Sequence, residues 1–127
     1  MYLENLVVID CDPHNNLIVD VPGSTIITPN YPDPYDTNLD CKLTLTFEDR
    51  VSIVFEDFYL ESGSTCQRDW LEVHDGEDSN SSLIGEKLCG YDIPSPIESS
   101  GNSMTLVFHS DDNDNYRGFK IVAHQGT

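Results

Sequence analysis

The sequence has few basic residues, no long apolar run and no Cys-x-x-Cys motif. Its 127 residues include 6 Lys and Arg against 23 Asp and Glu, which gives a formal net charge of −17. Nucleic acids and anionic membrane surfaces are therefore disfavoured partners, because both bind clustered basic side chains. No run approaches the roughly 20 apolar residues that a membrane-spanning helix needs. Cations and basic protein surfaces are the partners that such an acidic chain favours.

The start of the chain, Met1–Asn5, has neither the basic stretch nor the apolar stretch of a signal peptide. The cysteines Cys11, Cys41, Cys66 and Cys89 lack the spacing of a zinc site. An even number of widely spaced cysteines in a short chain indicates disulfides formed in an oxidising compartment, although the spacing alone leaves the connectivity open. We therefore expect a secreted protein or the extracellular part of a membrane protein, with its signal sequence removed.

Short runs of β-branched and aromatic residues, separated by Gly, Pro, Asn and Asp, predict an all-β fold. Cys41, Leu43 and Leu45 alternate with polar residues, as in a half-buried strand. Regular short strands with turn signals favour an antiparallel sandwich. The candidate strands are Ser24–Thr28, Cys41–Phe47, Val51–Phe58, Asp69–His74, Leu83–Cys89, Ser103–His109 and Gly118–His124.

The length predicts one domain, which we place at residues 11–124. Residues 1–10 are interpreted as an N-terminal extension or leader, and residues 125–127 as a C-terminal tail, both loosely held.

Several acidic residues stand where an apolar run meets a loop. Glu61 closes the run that begins at Phe58, Asp69 opens the run that ends at Val73, and Asp111 follows the strand that ends at His109. Carboxylates gathered from several loop ends suit a hard cation such as Ca²⁺, which takes about six to eight oxygen ligands. Since the chain has 23 acidic residues, chance could also place some of them there, and an ordinary solvated acidic surface is the alternative.

Turn, cysteine and aromatic motifs follow one another in a fixed order along the chain. They are Thr28-Pro29-Asn30-Tyr31-Pro32 with Tyr35, then Cys41, Phe58-Tyr59-Leu60-Glu61, Cys66-Gln67-Arg68-Asp69-Trp70-Leu71-Glu72-Val73-His74-Asp75-Gly76, Leu88-Cys89-Gly90, Ile97-Glu98-Ser99-Ser100-Gly101-Asn102-Ser103-Met104, Phe108-His109-Ser110-Asp111 and Gly118-Phe119. Together they resemble the CUB domain family, from Cys11 to about Ala123. The resemblance implies a jelly-roll-like β-sandwich with the disulfides Cys11–Cys41 and Cys66–Cys89. It also implies an extracellular interaction module, usually one part of a larger protein.

Many CUB domains bind one calcium ion at one end of the sandwich, and the resemblance extends to the residues of that site. Glu61, Asp69 and Asp111 stand at the positions of the family's carboxylate ligands. Tyr35 stands at the position of a tyrosine whose hydroxyl bonds to the glutamate. The ion would hold together carboxylates that otherwise repel one another.

The loop after Asp111 usually adds a backbone carbonyl and an asparagine side-chain oxygen. Asn113 stands at the carbonyl position and Asp114 at the side-chain position, where the extra negative charge should tighten cation binding. Asp112 and Asn115 are the alternatives if the loop register differs.

The resemblance implies a function as a calcium-dependent protein-recognition module. A partner's Lys or Arg would pair with the carboxylates of Glu61, Asp69 and Asp111, with Tyr35 and His109 at the border, and calcium would be structural. Two alternatives are a standalone spermadhesin-like protein that binds carbohydrate or lipid, and an acidic calcium-handling matrix protein.

An enzyme is not expected, because the turn Ser99–Asn102 lacks a nucleophile elbow and so small a domain has little room for a sugar cleft. Asn80 begins a glycosylation sequon in a polar loop. Trp70 is either an outward-facing sheet residue or part of a partner surface. The histidines show no ligand spacing and are expected to face outward; they are His14, His74, His109 and His124.

Overall fold

The computed structural model describes residues 5–63, 65–112 and 115–126. These residues form the expected all-β sandwich, with strand orders β1-β3-β9-β5-β7 in one sheet and β2-β4-β8-β6 in the other. The strands are β1 (Leu6–Val8), β2 (Ile18–Val19), β3 (Thr25–Ile27), β4 (Asp40–Thr46), β5 (Val51–Tyr59), β6 (Trp70–His74), β7 (Ile97–Glu98), β8 (Ser103–His109) and β9 (Gly118–Gln125). Among the described residues, no helix is long and apolar enough to cross a membrane.

The strand pairs are antiparallel except at one edge of each sheet, where β1 runs parallel to β3 and β2 runs parallel to β4. Strand β4 pairs with β8 over its whole length, from Asp40 opposite His109 to Thr46 opposite Ser103. The inner faces of both sheets carry the alternating apolar residues, which fill one core. Leu71 and Val73 of β6 point into this core, as their alternation predicts.

The two disulfides join Cys11 to Cys41 and Cys66 to Cys89, which confirms the sequential pairing. On the chain-entropy estimate, each closed loop stabilises the fold by about 3–4 kcal/mol. The second disulfide also ties residue 66, in the loop before β6, to the segment that follows the bridge at Leu88.

Several expectations about strands and termini are wrong. Leu83–Cys89 is not a continuous strand, since only Leu83 and Leu88 make isolated bridges to β6. Neither terminal segment is loosely held throughout: β1 pairs with β3, and the side chain of Gln125 in β9 accepts hydrogen bonds from two backbone amides. The strands β1, β2 and β7 were not predicted, because two or three residues show no period; β3 is as short, but it lies within the predicted strand Ser24–Thr28.

His74 does not face solvent as expected, because the loop after β6 covers it. Its side chain is 8% exposed, with Nδ1 2.8 Å from the carbonyl oxygen of Ser81 and Nε2 3.1 Å from the Glu72 carboxylate. This ring therefore anchors the loop that contains the glycosylation sequon.

The sheet topology brings three strand ends to the same end of the sandwich. Because β6 is antiparallel to β8, the residue before β6 lies beside the residues after β8, with Trp70 opposite His109. In the other sheet, β5 ends at Tyr59 and delivers Glu61 to this end. The acidic residues at the ends of β5, β6 and β8 therefore come from both sheets.

Gly118 begins β9 in a backbone conformation that only glycine adopts readily, with φ of 87°. A Cβ atom there would lie 1.9 Å from Thr28 Oγ1 and 2.7 Å from Thr28 Cβ. Gly118→Ala should therefore destabilise the domain by more than about 2 kcal/mol, measured by urea unfolding. Gly101→Ala is the control, because a Cβ atom there meets nothing within 4 Å. Equal stability of the two variants would contradict this account.

Candidate metal centre

Three carboxylates meet at the end of the sandwich where β5 and β8 end and β6 begins. Glu61, Asp69 and Asp111 each offer an oxygen, and these oxygens all lie within 4.8 Å of one another. Glu61 and Asp69 are buried, with 6% and 1% exposure. The acids that the sequence places at three separate loop ends thus come together in space.

Tyr35, in the loop between β3 and β4, contacts this cluster from the core side. It is fully buried, and its ring packs edge-on against Phe108 at a centroid distance of 5.1 Å. Its hydroxyl donates to Asp69 Oδ2 and accepts from the backbone N–H of Glu61 at 3.2 Å. The resemblance to the CUB family implied a bond from this hydroxyl to Glu61. The contact to Glu61 involves its backbone amide, whereas the carboxylate that Tyr35 orients belongs to Asp69.

The segment around Asp111 is fixed by backbone hydrogen bonds. The N–H of Asp111 donates to Asp69 Oδ1 at 2.8 Å, and the Asp111 carbonyl accepts from the N–H of Asn38 at 2.8 Å. Ser110 is buried, and its hydroxyl donates to the carbonyl of Asp36 at 2.9 Å. Both oxygens of Asp69 are therefore used in ordering the site.

Burial and mutual repulsion make these carboxylates hard to ionise together. Burial, followed by the neighbouring Asp111 carboxylate, raises the pKa of Glu61 from 4.5 to about 7. Burial also raises the pKa of Asp69, against the lowering effect of the Tyr35 hydroxyl. The same buried position beside Asp69 raises the pKa of Tyr35, so its hydroxyl stays protonated and donates.

The donor set fits a hard divalent cation. All three side chains offer carboxylate oxygens, the ligand type that Ca²⁺ prefers. Glu61 Oε1 is buried and has no hydrogen-bond partner among the described residues. A buried carboxylate oxygen left without a partner is costly unless a cation or proton occupies its lone pairs. Asn113 and Asp114, the expected further ligands, lie outside the described residues.

Arg68 lies next to the site, and this position was not predicted. Its Nη1 lies 3.8 Å from Glu61 Oε2, and its side chain is 49% exposed. It stands one residue before Asp69, so proximity in the chain was the only available signal. The contact is long and exposed, and it compensates the cluster only weakly.

His109, which lies opposite Trp70 in the strand pairing, belongs to a cluster on the outer face of its sheet. Its ring stacks on Trp70 with centroids 4.2 Å apart, and Nδ1 lies 2.7 Å from Asp40 Oδ1. The Nζ of Lys87 lies 3.8 Å from the centroid of the Trp70 ring. The indole is thus engaged by His109 and Lys87 of the same chain, which favours the sheet-residue interpretation of Trp70.

A group of aromatic side chains on the other side of the site was also missed. Tyr59 stacks on Tyr116 with centroids 4.7 Å apart and lies 5.9 Å from Tyr91, while the Arg117 guanidinium carbon lies 5.0 Å from the Tyr59 ring. We call these four residues the tyrosine surface. Because they come from three distant parts of the chain, no sequence pattern joins them.

A profile of the CUB domain family matches residues 13–122. The chain belongs to the CUB domain family. Dog (Canis lupus familiaris) cubilin is 42% identical over 97 residues, which is 75% of this chain and 3% of cubilin. The chain therefore spans only a small part of this relative.

Solved CUB structures agree with the fold of this CUB domain. The MASP-1 CUB2 domain bound to Ca²⁺ matches with a TM-score of 0.75 and 28% identity, over 85% of this chain and 96% of that one. The full extracellular region of zebrafish Gpr126/Adgrg6 matches with a TM-score of 0.78 and 28% identity, over 91% of this chain and 15% of that one. CUB domains are extracellular, non-catalytic interaction modules that commonly bind Ca²⁺.

Removing the charge of Glu61 should stabilise the metal-free CUB domain at alkaline pH. With a pKa of about 7 against an ordinary 4.5, Glu61 contributes stability below pH 4.5 that is lost as the pH rises through 7. In EDTA at pH 8, Glu61→Gln should raise the free energy of unfolding by at least about 1 kcal/mol, since one pKa unit corresponds to about 1.4 kcal/mol.

Thermal and urea unfolding between pH 4 and 8 measure this difference. The gain should shrink towards pH 4, and the exposed control Glu86→Gln should show none. A Glu61→Gln variant less stable than wild type at pH 8 would contradict the assigned electrostatics.

Proposed function

We propose that this CUB domain binds one Ca²⁺ through Glu61, Asp69 and Asp111 and uses the ordered carboxylates to recognise a basic side chain of a partner protein. One observation carries the proposal: three carboxylate oxygens lie within 4.8 Å of one another. In this cluster, buried Glu61 Oε1 has no partner among the described residues. A divalent cation satisfies that oxygen and removes the repulsion among the three groups.

The supporting contacts favour a preorganised site. Tyr35 and the N–H of Asp111 hold both oxygens of Asp69, so this carboxylate is oriented before any ion arrives. Asn115 donates from its side-chain amide to the Tyr35 carbonyl, which ties residue 115 to the same support. Backbone and side-chain oxygens of Asn113 and Asp114 would complete the coordination.

Charge favours a partner that presents Lys or Arg. Three carboxylates carry one more negative charge than one Ca²⁺ neutralises, and the chain as a whole is at −17. Coordination fixes the carboxylates in one arrangement, which lowers the entropy lost when an ammonium or guanidinium group binds. The Arg68 guanidinium near Glu61 supports the same chemistry within the chain. His109 would border the bound side chain, whereas Tyr35, which the sequence motifs place there too, is fully buried and would act by orienting Asp69.

The domain would act as one extracellular module of a larger protein. It spans only 3% of the cubilin it matches, so any further domain and the partner's identity belong to the proposal. Asn80 is exposed, in a turn whose geometry is set by Asp78, and we propose that it is glycosylated. That turn follows β6, whereas Asp69 precedes β6, so a glycan there would leave the acidic end open.

Removing one carboxylate ligand should abolish tight calcium binding. Asp111→Ala should weaken the calcium affinity measured by isothermal titration calorimetry at least about 100-fold, more than loss of a typical supporting residue. Asp20→Ala removes the same charge from an exposed position and should leave the affinity unchanged. Equal calcium affinity of the Asp111→Ala variant and wild type would overturn the site assignment.

Removing Arg68 should strengthen cation binding at the acidic end. Arg68→Gln takes away a positive charge 3.8 Å from Glu61, so both calcium and a lysine-containing peptide should bind severalfold more tightly at low salt. Arg50→Gln is the control, since Arg50 pairs with Glu98 and precedes β5, at the opposite end of that strand from Glu61. Weaker binding to Arg68→Gln would assign Arg68 a supporting role instead.

A further inference from the structure

The tyrosine surface has the composition of a protein-binding patch. Tyr91 is 69% exposed, and it extends the stacked pair of Tyr59 and Tyr116 outward. Tyrosine and arginine are the residues most enriched at binding hot spots, because they offer large contact area with a polar tip. The exposed ring of Tyr91 contributes no burial energy to the stability of the isolated domain.

The Arg117 guanidinium of this surface is fixed in place, and its charge is compensated within the chain. Arg117 donates from Nε and Nη2 to both oxygens of Asp57, at 2.7 and 2.8 Å, which fixes the guanidinium near the Tyr59 ring. Tyr31 donates a further hydrogen bond to Asp57 at 2.6 Å. The Asp57 carboxylate is thus fully paired, so apolar groups can bind beside it without desolvating a free charge.

The surface is continuous with the acidic site. Tyr59 stands two residues before Glu61 at the end of β5, and the Tyr116 carbonyl accepts from the backbone N–H of Tyr35 at 2.9 Å. The carbonyl of Gly90, next to Tyr91, accepts from the N–H of Leu60 at 2.9 Å. Every contributing segment is therefore bonded to a residue in or beside the site.

We propose that the tyrosine surface binds an aromatic or large apolar side chain of the protein segment whose basic residue enters the acidic site. The inference rests on the proposed function and adds the partner's chemistry: a basic residue with an apolar neighbour. The negative charge of the acidic site favours a basic residue in the partner. The rings of the tyrosine surface favour an aromatic or apolar residue beside it. On the other side of the site the Trp70 ring, held between His109 and Lys87, is less available for this role.

Two short capped peptides test this proposal with wild-type protein and Ca²⁺. In one peptide, lysine is flanked by glycines, and in the other it is flanked by phenylalanines. Titration followed by NMR should give an affinity about twofold to tenfold higher for the phenylalanine peptide, because one aromatic contact contributes about 0.5–1.5 kcal/mol. The ring signals of Tyr59 and Tyr91 should shift with the phenylalanine peptide only.

A matched pair of variants locates the effect. Tyr91→Ala should abolish the advantage of the phenylalanine peptide and leave binding of the glycine peptide unchanged. Tyr91→Phe should keep the advantage, since the ring remains. Ile18→Ala, at an exposed position on β2, is the control and should behave as wild type.

The outcomes separate the two proposals. Equal affinity of the two peptides, or an unchanged advantage in Tyr91→Ala, would overturn this inference alone. Failure of both peptides to bind in the presence of Ca²⁺ would overturn the proposed function and this inference with it. Ring shifts produced by simple methyl glycosides, and not by the phenylalanine peptide, would assign the surface to carbohydrate.

Discussion

The mutual repulsion of three carboxylates at one end of the sandwich is the constraint on which the rest of the site depends. Glu61, Asp69 and Asp111 are held within 4.8 Å by elements that fold for other reasons, namely strand pairing and core packing. Burial, followed by the neighbouring Asp111 carboxylate, raises the pKa of Glu61 to about 7, so ionising all three groups without a cation is unfavourable. The folded domain is therefore destabilised by this repulsion, and ion binding removes it. Calcium binding and stability are coupled for that reason.

The carboxylates of the site differ in how they are held. Tyr35, rigidly packed against Phe108, and the N–H of Asp111 orient Asp69, whereas Glu61 keeps an oxygen without a hydrogen bond among the described residues. The Asp69 carboxylate is thus fixed by hydrogen bonds within the site, and the Glu61 carboxylate is available to a ligand. Beside the site, the tyrosine surface adds stacked and exposed rings, so the acidic end combines charge with apolar contact area.

Much of this arrangement could be predicted from the sequence, and the failures have physical reasons. Alternation and turn residues located the long strands, and the ordered motifs of the CUB family gave the disulfides and the acidic cluster. The strands β1, β2 and β7 were not predicted because they are too short to show a period. Leu83–Cys89 was wrongly predicted as a continuous strand, since apolar residues there make only isolated bridges. The partner of the Tyr35 hydroxyl and the tyrosine surface depend on side chains meeting across the chain, which no local pattern records.

Thermal unfolding with and without calcium shows whether the folded domain binds the ion. A cation that binds only the folded domain raises its melting temperature in proportion to the logarithm of the ion concentration above Kd. The account predicts a clear rise at millimolar Ca²⁺, its reversal by EDTA, and no rise in a variant that lacks Asp111. A melting temperature that is identical in calcium and in EDTA would contradict it.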